Sequence, residues 1–406
     1  MVSRNWRVIL TSVVIACFST ISFAASQKVL YSFTARRGDG AVPLAGVVFD
    51  SAGNLYGTTT GGGSDGDGIA FELSPMPDGE WAETVLHNFN WTDGAHPEAN
   101  LIFDSSGNLY GTTVYGGANG QGTVFELSPA EGGGWTEQVL HSFGEAFDGV
   151  QPHAPLIFDS SGNLYGTTAG HRGNYGSAFE LSPAIDGSWT ETTLCDFPVT
   201  LGGKENGWHP YGGLVFDAEG NLYGTTSGGG HRGSGSVFEL TPSQDGTWTE
   251  TLLASLTYDH GDGPLAGLIF DAEGNLYGTA SMGGASDAGT IFKVSPASGG
   301  QWMLRDIYNF SFVNGYLPAA ALVMDAAGNM YGTTEFGGTN NNSTGTVFEL
   351  TPNKGGGWTE GYISLTGEPN AGYPTSSLVF DNKGHAYGTT SGGGTYDEGT
   401  VFEIIR

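Results

Sequence analysis

Nine side chains near the middle of the chain have types that could act together. His171, Arg172 and Tyr175 stand in the stretch Gly170-His171-Arg172-Gly173-Asn174-Tyr175, and Gly230-His231-Arg232-Gly233 repeats the His-Arg pair 60 residues later. Lys204, Trp208, His209 and Tyr211 lie between them, in the longest irregular stretch of the chain. The forked donors of Arg172 and Arg232 suit a carboxylate or a sulfate. Imidazoles at three positions could move a proton, as could Tyr211, or hold a metal, and Trp208 and Tyr175 offer faces to a sugar ring. Against this stands a plainer reading, in which Gly-His-Arg-Gly is a solvated loop copied between neighbouring repeats. Sequence spacing gives no evidence that His171, His209 and His231 converge, so neither a metal nor a cofactor is expected.

What positions these residues is a repeat. Phe-Asp-x-x-Gly-Asn-x-Tyr-Gly-Thr-Thr occurs in seven close copies, with its aspartate at Asp50, Asp104, Asp159, Asp217, Asp271, Asp325 and Asp381. A near-constant period of about 55 residues signals a solenoid or propeller. In the second copy, residues 100–104 read as a short apolar strand and Asp104-Ser105-Ser106-Gly107 as a type I turn. Residues 108–113 and 123–127 read as the next two strands, with Ser128-Pro129 ending the third, and residues 135–143 as a fourth. No segment sustains a helical period. Residues 28–33 match fourth-strand sequences but precede any first strand, while the chain ends on a third strand at residues 401–404. A closed ring satisfies both ends, because an open array leaves an unpaired edge. The expected fold is an all-β, seven-bladed propeller whose N-terminal strand completes the last blade, formed by residues 25–406.

Recurrence also sorts the side chains. Whatever every blade carries serves folding, so the turn aspartates are structural, and each turn offers too few carboxylates for calcium. The third-strand glutamates Glu72, Glu126, Glu180, Glu239, Glu349 and Glu403 give way to Lys293 in the fifth copy, which argues against a required charge. The tryptophans Trp81, Trp135, Trp189, Trp248, Trp302 and Trp358 open fourth strands and should pack between blades. Cys195 falls on a variable strand position shared with His87, His141 and Tyr31. The loops after second and fourth strands share one face, where the nine residues above are joined by Tyr115, Tyr316, Phe336, Tyr373 and Tyr396.

Three stretches stand out: Leu-Ile-Phe-Asp-Ser-Ser-Gly-Asn-Leu-Tyr-Gly-Thr-Thr (101–113), Gly-Thr-Val-Phe-Glu-Leu-Ser-Pro (122–129) and Asp-Gly-Ala-His-Pro (93–97). On these motifs the sequence resembles the bacterial GloVer-type tandem-repeat family over nearly all of residues 28–406. The resemblance implies a propeller outside the cytoplasm and lends no activity. Family members often carry a C-terminal anchor, whereas this chain ends in strand at Arg406, so anchoring would have to come from the N-terminus.

At that N-terminus, Arg4 and Arg7 precede an apolar run over residues 8–21, and Ser22-Phe23-Ala24 supplies small residues for cleavage. This reads as a secretory signal peptide, residues 1–24, too short to span a bilayer. A rival reading takes Val14-Ile15-Ala16-Cys17 as a lipobox, making Cys17 the anchor of an outer-membrane lipoprotein. Cleavage after Ala24 leaves Cys195 alone, without a disulfide partner. A net charge of −29 repels nucleic acid and anionic lipid, and a monomer is expected.

No phosphate loop, dinucleotide fingerprint or nucleophile elbow is present. The leading functional expectation is a non-catalytic secreted or periplasmic binding or scaffold module for a glycan or an extracellular protein. The alternatives are a polysaccharide lyase or hydrolase acting on a uronate-containing glycan, and a purely structural surface repeat protein.

Overall fold

A computed structural model describes residues 25–36, 38–145, 148–170, 175–197, 207–339, 343–365 and 371–406. Each repeat forms a four-stranded antiparallel sheet. In the first blade the strands run Val48–Phe49, Leu55–Thr59, Ile69–Pro75 and Trp81–Asn88, from the axis outward. Seven such blades surround the axis. The seventh takes Val379–Phe380, Ala386–Thr390 and Thr400–Ile405 from the C-terminus, and Ser26–Ser32 pairs antiparallel with the last of these. The N-terminal strand thus closes the ring as expected. The strand boundaries of blade two differ from the sequence reading, most in the first and third strands. The innermost strand of blade two is only Ile102–Phe103. The third strand runs through Ser128 to Pro129, which pairs with Trp135; a proline is tolerated at a strand's last position.

The Asp-x-x-Gly turn is held by its own carboxylate. Asp104 Oδ1 accepts from the backbone amides of Ser106 and Asn108, both at 2.8 Å, while Oδ2 accepts from Asn108 Nδ2 at 2.9 Å and the Tyr110 hydroxyl at 3.3 Å. Burial alone would raise such a carboxyl, yet the donated hydrogen bonds outweigh it and hold Asp217, Asp271, Asp325 and Asp381 below the ordinary range. The turn aspartates therefore spend their oxygens on folding, in line with the structural reading.

The core lies between blades rather than within them. Leu109–Thr113 is buried on both faces, and Phe125 of the next strand is fully buried over Gly111. Phe89 leaves blade one and meets Phe125 of blade two edge-on, with centroids 4.9 Å apart. The tryptophans do pack across blades, Trp135 against Tyr56 at 6.0 Å. Aromatic pairs of this kind add about 0.5–1.5 kcal/mol each beyond area burial. A threonine hydroxyl also crosses each boundary. Thr225 donates to the Ala266 carbonyl at 2.9 Å, and Thr389 carries the pattern across the closure to Ala45 at 2.7 Å.

Farther out, the interfaces hold carboxyls. Glu83, Glu137, Glu191, Glu250 and Glu360 occupy one recurring fourth-strand position, which is Leu304 in blade five. Burial pushes Glu83 up to about 8 and Glu191 and Glu250 up to about 7, and raises Glu360 as well. Cys195 reaches across one such interface to Glu250 Oε2 at 3.9 Å; it is partly buried, and burial raises its thiol far above the ordinary range. An inert thiol, not a nucleophile, follows.

Candidate functional site

Every fourth-to-first connection approaches the axis through a residue followed by proline. The residues before those prolines are Val42, His96, Gln151, His209, Gly263, Leu317 and Tyr373, and all seven have φ between 54° and 63°. Six of them are not glycine, so the left-handed backbone must be held from outside. Two backbone hydrogen bonds hold it. His209 N–H donates to the Tyr175 carbonyl of the preceding blade at 2.6 Å, and the His209 carbonyl accepts from Ser227 of its own blade at 3.0 Å. Each proline ring packs on a glycine of the preceding blade, as Pro210 does on Gly176, and the residue after it lines the channel.

Those following residues, Leu44, Glu98, His153, Tyr211, Leu265, Ala319 and Thr375, border a central cavity of about 270 Å³. Its wall is two-sided. Leu44, Leu265 and the alanines Ala319–Ala321 make an apolar arc, while Glu98, His153 and Tyr211 form a contiguous polar row from blades two, three and four. His153 Nδ1 lies 2.8 Å from Glu98 Oε2. A carboxylate only accepts, so the imidazole proton sits on Nδ1 and leaves Nε2 available. The Tyr211 ring packs edge-on against His153, centroids 5.0 Å apart. Burial, followed by the charges of Glu98 and Tyr115, pushes the Tyr211 hydroxyl above its ordinary range. Asn100 closes the polar side, donating to Ser377 Oγ at 2.9 Å and accepting from Gly46 N–H at 2.6 Å.

Aromatic rings pair with one another in the loops of several blades. His209 stacks on Tyr211 at 6.0 Å and meets Tyr175 edge-on at 5.3 Å, its Nδ1 donating to the Ala169 carbonyl at 2.6 Å. On blade two, Trp91 lies parallel to Tyr115 at 6.4 Å, and both are exposed. Across the disc, Phe312, Tyr316, Phe336 and Tyr373 follow one another at 4.9, 5.1 and 5.4 Å. Arg36 lies over Tyr396 at 5.7 Å.

Of the nine residues singled out by sequence, Tyr175, His209 and Tyr211 come together in this row. Trp208 pairs with Gly228 and its indole covers that glycine, beside the row. His231 and Arg232 are exposed, in a loop whose His231 amide bonds to Ser255 at the end of the outermost strand. His171, Arg172 and Lys204 lie outside the described residues. Among the described residues, His231 joins no metal-compatible group. Glu98 and His153 escaped the sequence reading. Their signal was available: the position after the recurring proline changes from leucine to glutamate, histidine or tyrosine in successive copies.

No curated protein matches the sequence. Among solved structures, an oxidoreductase named as a glucose dehydrogenase from Thermus thermophilus is similar at 16% identity, over 76% of this chain and 96% of that one, with a TM-score of 0.44. An ancestral GH74 enzyme is similar at 12% identity and a TM-score of 0.57, over 90% of this chain and 47% of that one. The chain thus spans about half the length of that enzyme, and the likeness is one of fold. No helix among the described residues is long and apolar enough to cross a membrane. A sequence profile matches over residues 17–205 and 187–402, nearly the whole length, and the propeller repeats account for that span: the chain belongs to the Gloeobacter/Verrucomicrobia repeat family.

Proposed function

We propose that the protein is an extracytoplasmic binding module that holds a neutral glycan over the mouth of its central channel. The packing of Tyr175 and His209 on Tyr211 of the Glu98–His153–Tyr211 row, together with the exposed Trp91–Tyr115 pair of blade two, carries this reading. Flat rings bind the apolar faces of sugars, while the carboxylate and imidazole meet their hydroxyls. Among the described residues no lysine or arginine stands at the cavity wall to neutralise a uronate beside Glu98, which disfavours acidic sugars. The leader expected at residues 1–24 would deliver the module outside the cytoplasm.

A glycan array probed with the wild type and with Trp91→Ala and Tyr115→Ala tests this. Binding should concentrate on neutral glycans, and each substitution should weaken it at least about tenfold, the loss typical of an aromatic anchor. Absence of binding to any neutral glycan would refute the proposal. The 2.8 Å His153–Glu98 contact favours one second reading, acid–base catalysis on the bound sugar. New reducing ends that disappear in His153→Ala, while glycan binding persists, would establish the enzyme in place of the pure binder.

A further inference from the structure

Away from the channel, the interface of blades one and two brings together His87, Asp93 and Glu137. The ligand atoms of these side chains lie within 4.8 Å of one another. His87 Nε2 stands 3.3 Å from Asp93 Oδ2. Two ligands about 2.0 Å from a tetrahedral zinc ion stand about 3.3 Å apart, so this pair already has the spacing of a chelate. Despite that approach, His87 Nε2 makes no hydrogen bond, and neither does Glu137 Oε1; both atoms are closed to solvent. Buried polar atoms without partners are costly and call for an explanation. We propose that His87, Asp93 and Glu137 form a structural site for a divalent transition-metal cation of the zinc class.

The chemistry of the donors fits. Imidazole with two carboxylates is a nitrogen–oxygen set of the kind zinc accepts, and two negative charges balance a dication. Asp93 is held in a ligating orientation by Asn90, which donates to it through both its backbone amide, at 2.9 Å to Oδ1, and its side-chain amide, to Oδ2. The His87 ring is fixed edge-on against the fully buried Phe89, with centroids 4.8 Å apart. Such supporting contacts are what orient metal ligands. The next interface repeats the residue types as His141, Asp148 and Glu191 but satisfies them internally. There His141 Nε2 bonds Asp148 Oδ2 at 3.2 Å, and Glu191 accepts from Thr193 at 3.1 Å. A cation at the first interface would staple the outer strands of two blades. It would also pin the connection that carries Trp91, His96 and Glu98 toward the channel.

The proposal is tested by titrating the chelator-stripped full chain with Zn2+ by calorimetry, with Co2+ as a spectroscopic probe. One equivalent should bind, Co2+ should give visible absorption of a four- or five-coordinate site, and the thermal midpoint should rise on loading. His87→Ala and Glu137→Leu should each abolish all three signals. Both variants should fold, because the equivalent positions are Ala254 in blade four and Leu304 in blade five. His231→Ala should bind as the wild type does. Failure of the wild type to bind a stoichiometric ion, or retention of binding by both the His87→Ala and the Glu137→Leu variants, overturns the proposal.

Discussion

Gly111 shows how far a single residue is constrained by its neighbours. A Cβ there would stand 2.6 Å from Phe125 Cζ and 2.9 Å from Leu101 Cδ2, in a core with no room to give. Gly111→Ala should therefore cost about 1–3 kcal/mol, the usual penalty of overpacking. Gly355 is the contrast, since a Cβ there meets nothing within 4 Å and its φ is not positive. Gly355→Ala should gain about 0.5 kcal/mol by restricting the unfolded chain. Urea unfolding of both variants reads the two signs, and equal losses would contradict this account. The recurrence of Tyr-Gly-Thr makes the first glycine's structural role legible in sequence. What sequence does not reveal is why: the Phe ring that forbids a side chain is 14 residues away.

Among the elements, Ser26–Ser32 carries the most consequence for its length. It is the outermost strand of blade seven, yet it is made from the opposite end of the chain. Removing residues 25–33 should bare the edge of Thr400–Ile405 and lower the thermal midpoint. Association between chains should accompany it, because an unpaired strand edge pairs with whatever it meets. A synthetic peptide of residues 25–33 added in trans should reverse both effects, and size-exclusion profiles with melting curves decide the matter. This closure was legible because a fourth-strand pattern stood before any first strand. The site was legible only in part. Sorting by basic residues led to the Gly-His-Arg-Gly loops, and it reached Tyr175, His209 and Tyr211 through their proximity in the chain. Glu98 and His153 come from two other repeats, and only closure of the ring brings them beside Tyr211.

At the scale of the molecule, the carboxyls between blades make stability depend on pH. Glu83 is raised from 4.5 to about 8, and Glu191 and Glu250 to about 7, because burial disfavours their charged forms. The folded chain therefore binds more protons than the unfolded one between these values. Their contribution is complete below about 4.5 and is lost as pH rises through 7 and 8. The thermal midpoint should fall between about pH 5.5 and pH 8.5. Glu83→Gln should flatten that slope, whereas general repulsion from a net charge of −29 would leave it nearly unchanged. The seven left-handed residues before the prolines have a different consequence. Their backbone is fixed by bonds that ignore side-chain identity, and valine, histidine, glutamine, glycine, leucine and tyrosine all occupy the same seat. Inheritance can thus rewrite the rim of the channel one blade at a time, leaving the scaffold intact, so that relatives with the same disc are free to differ in what they hold.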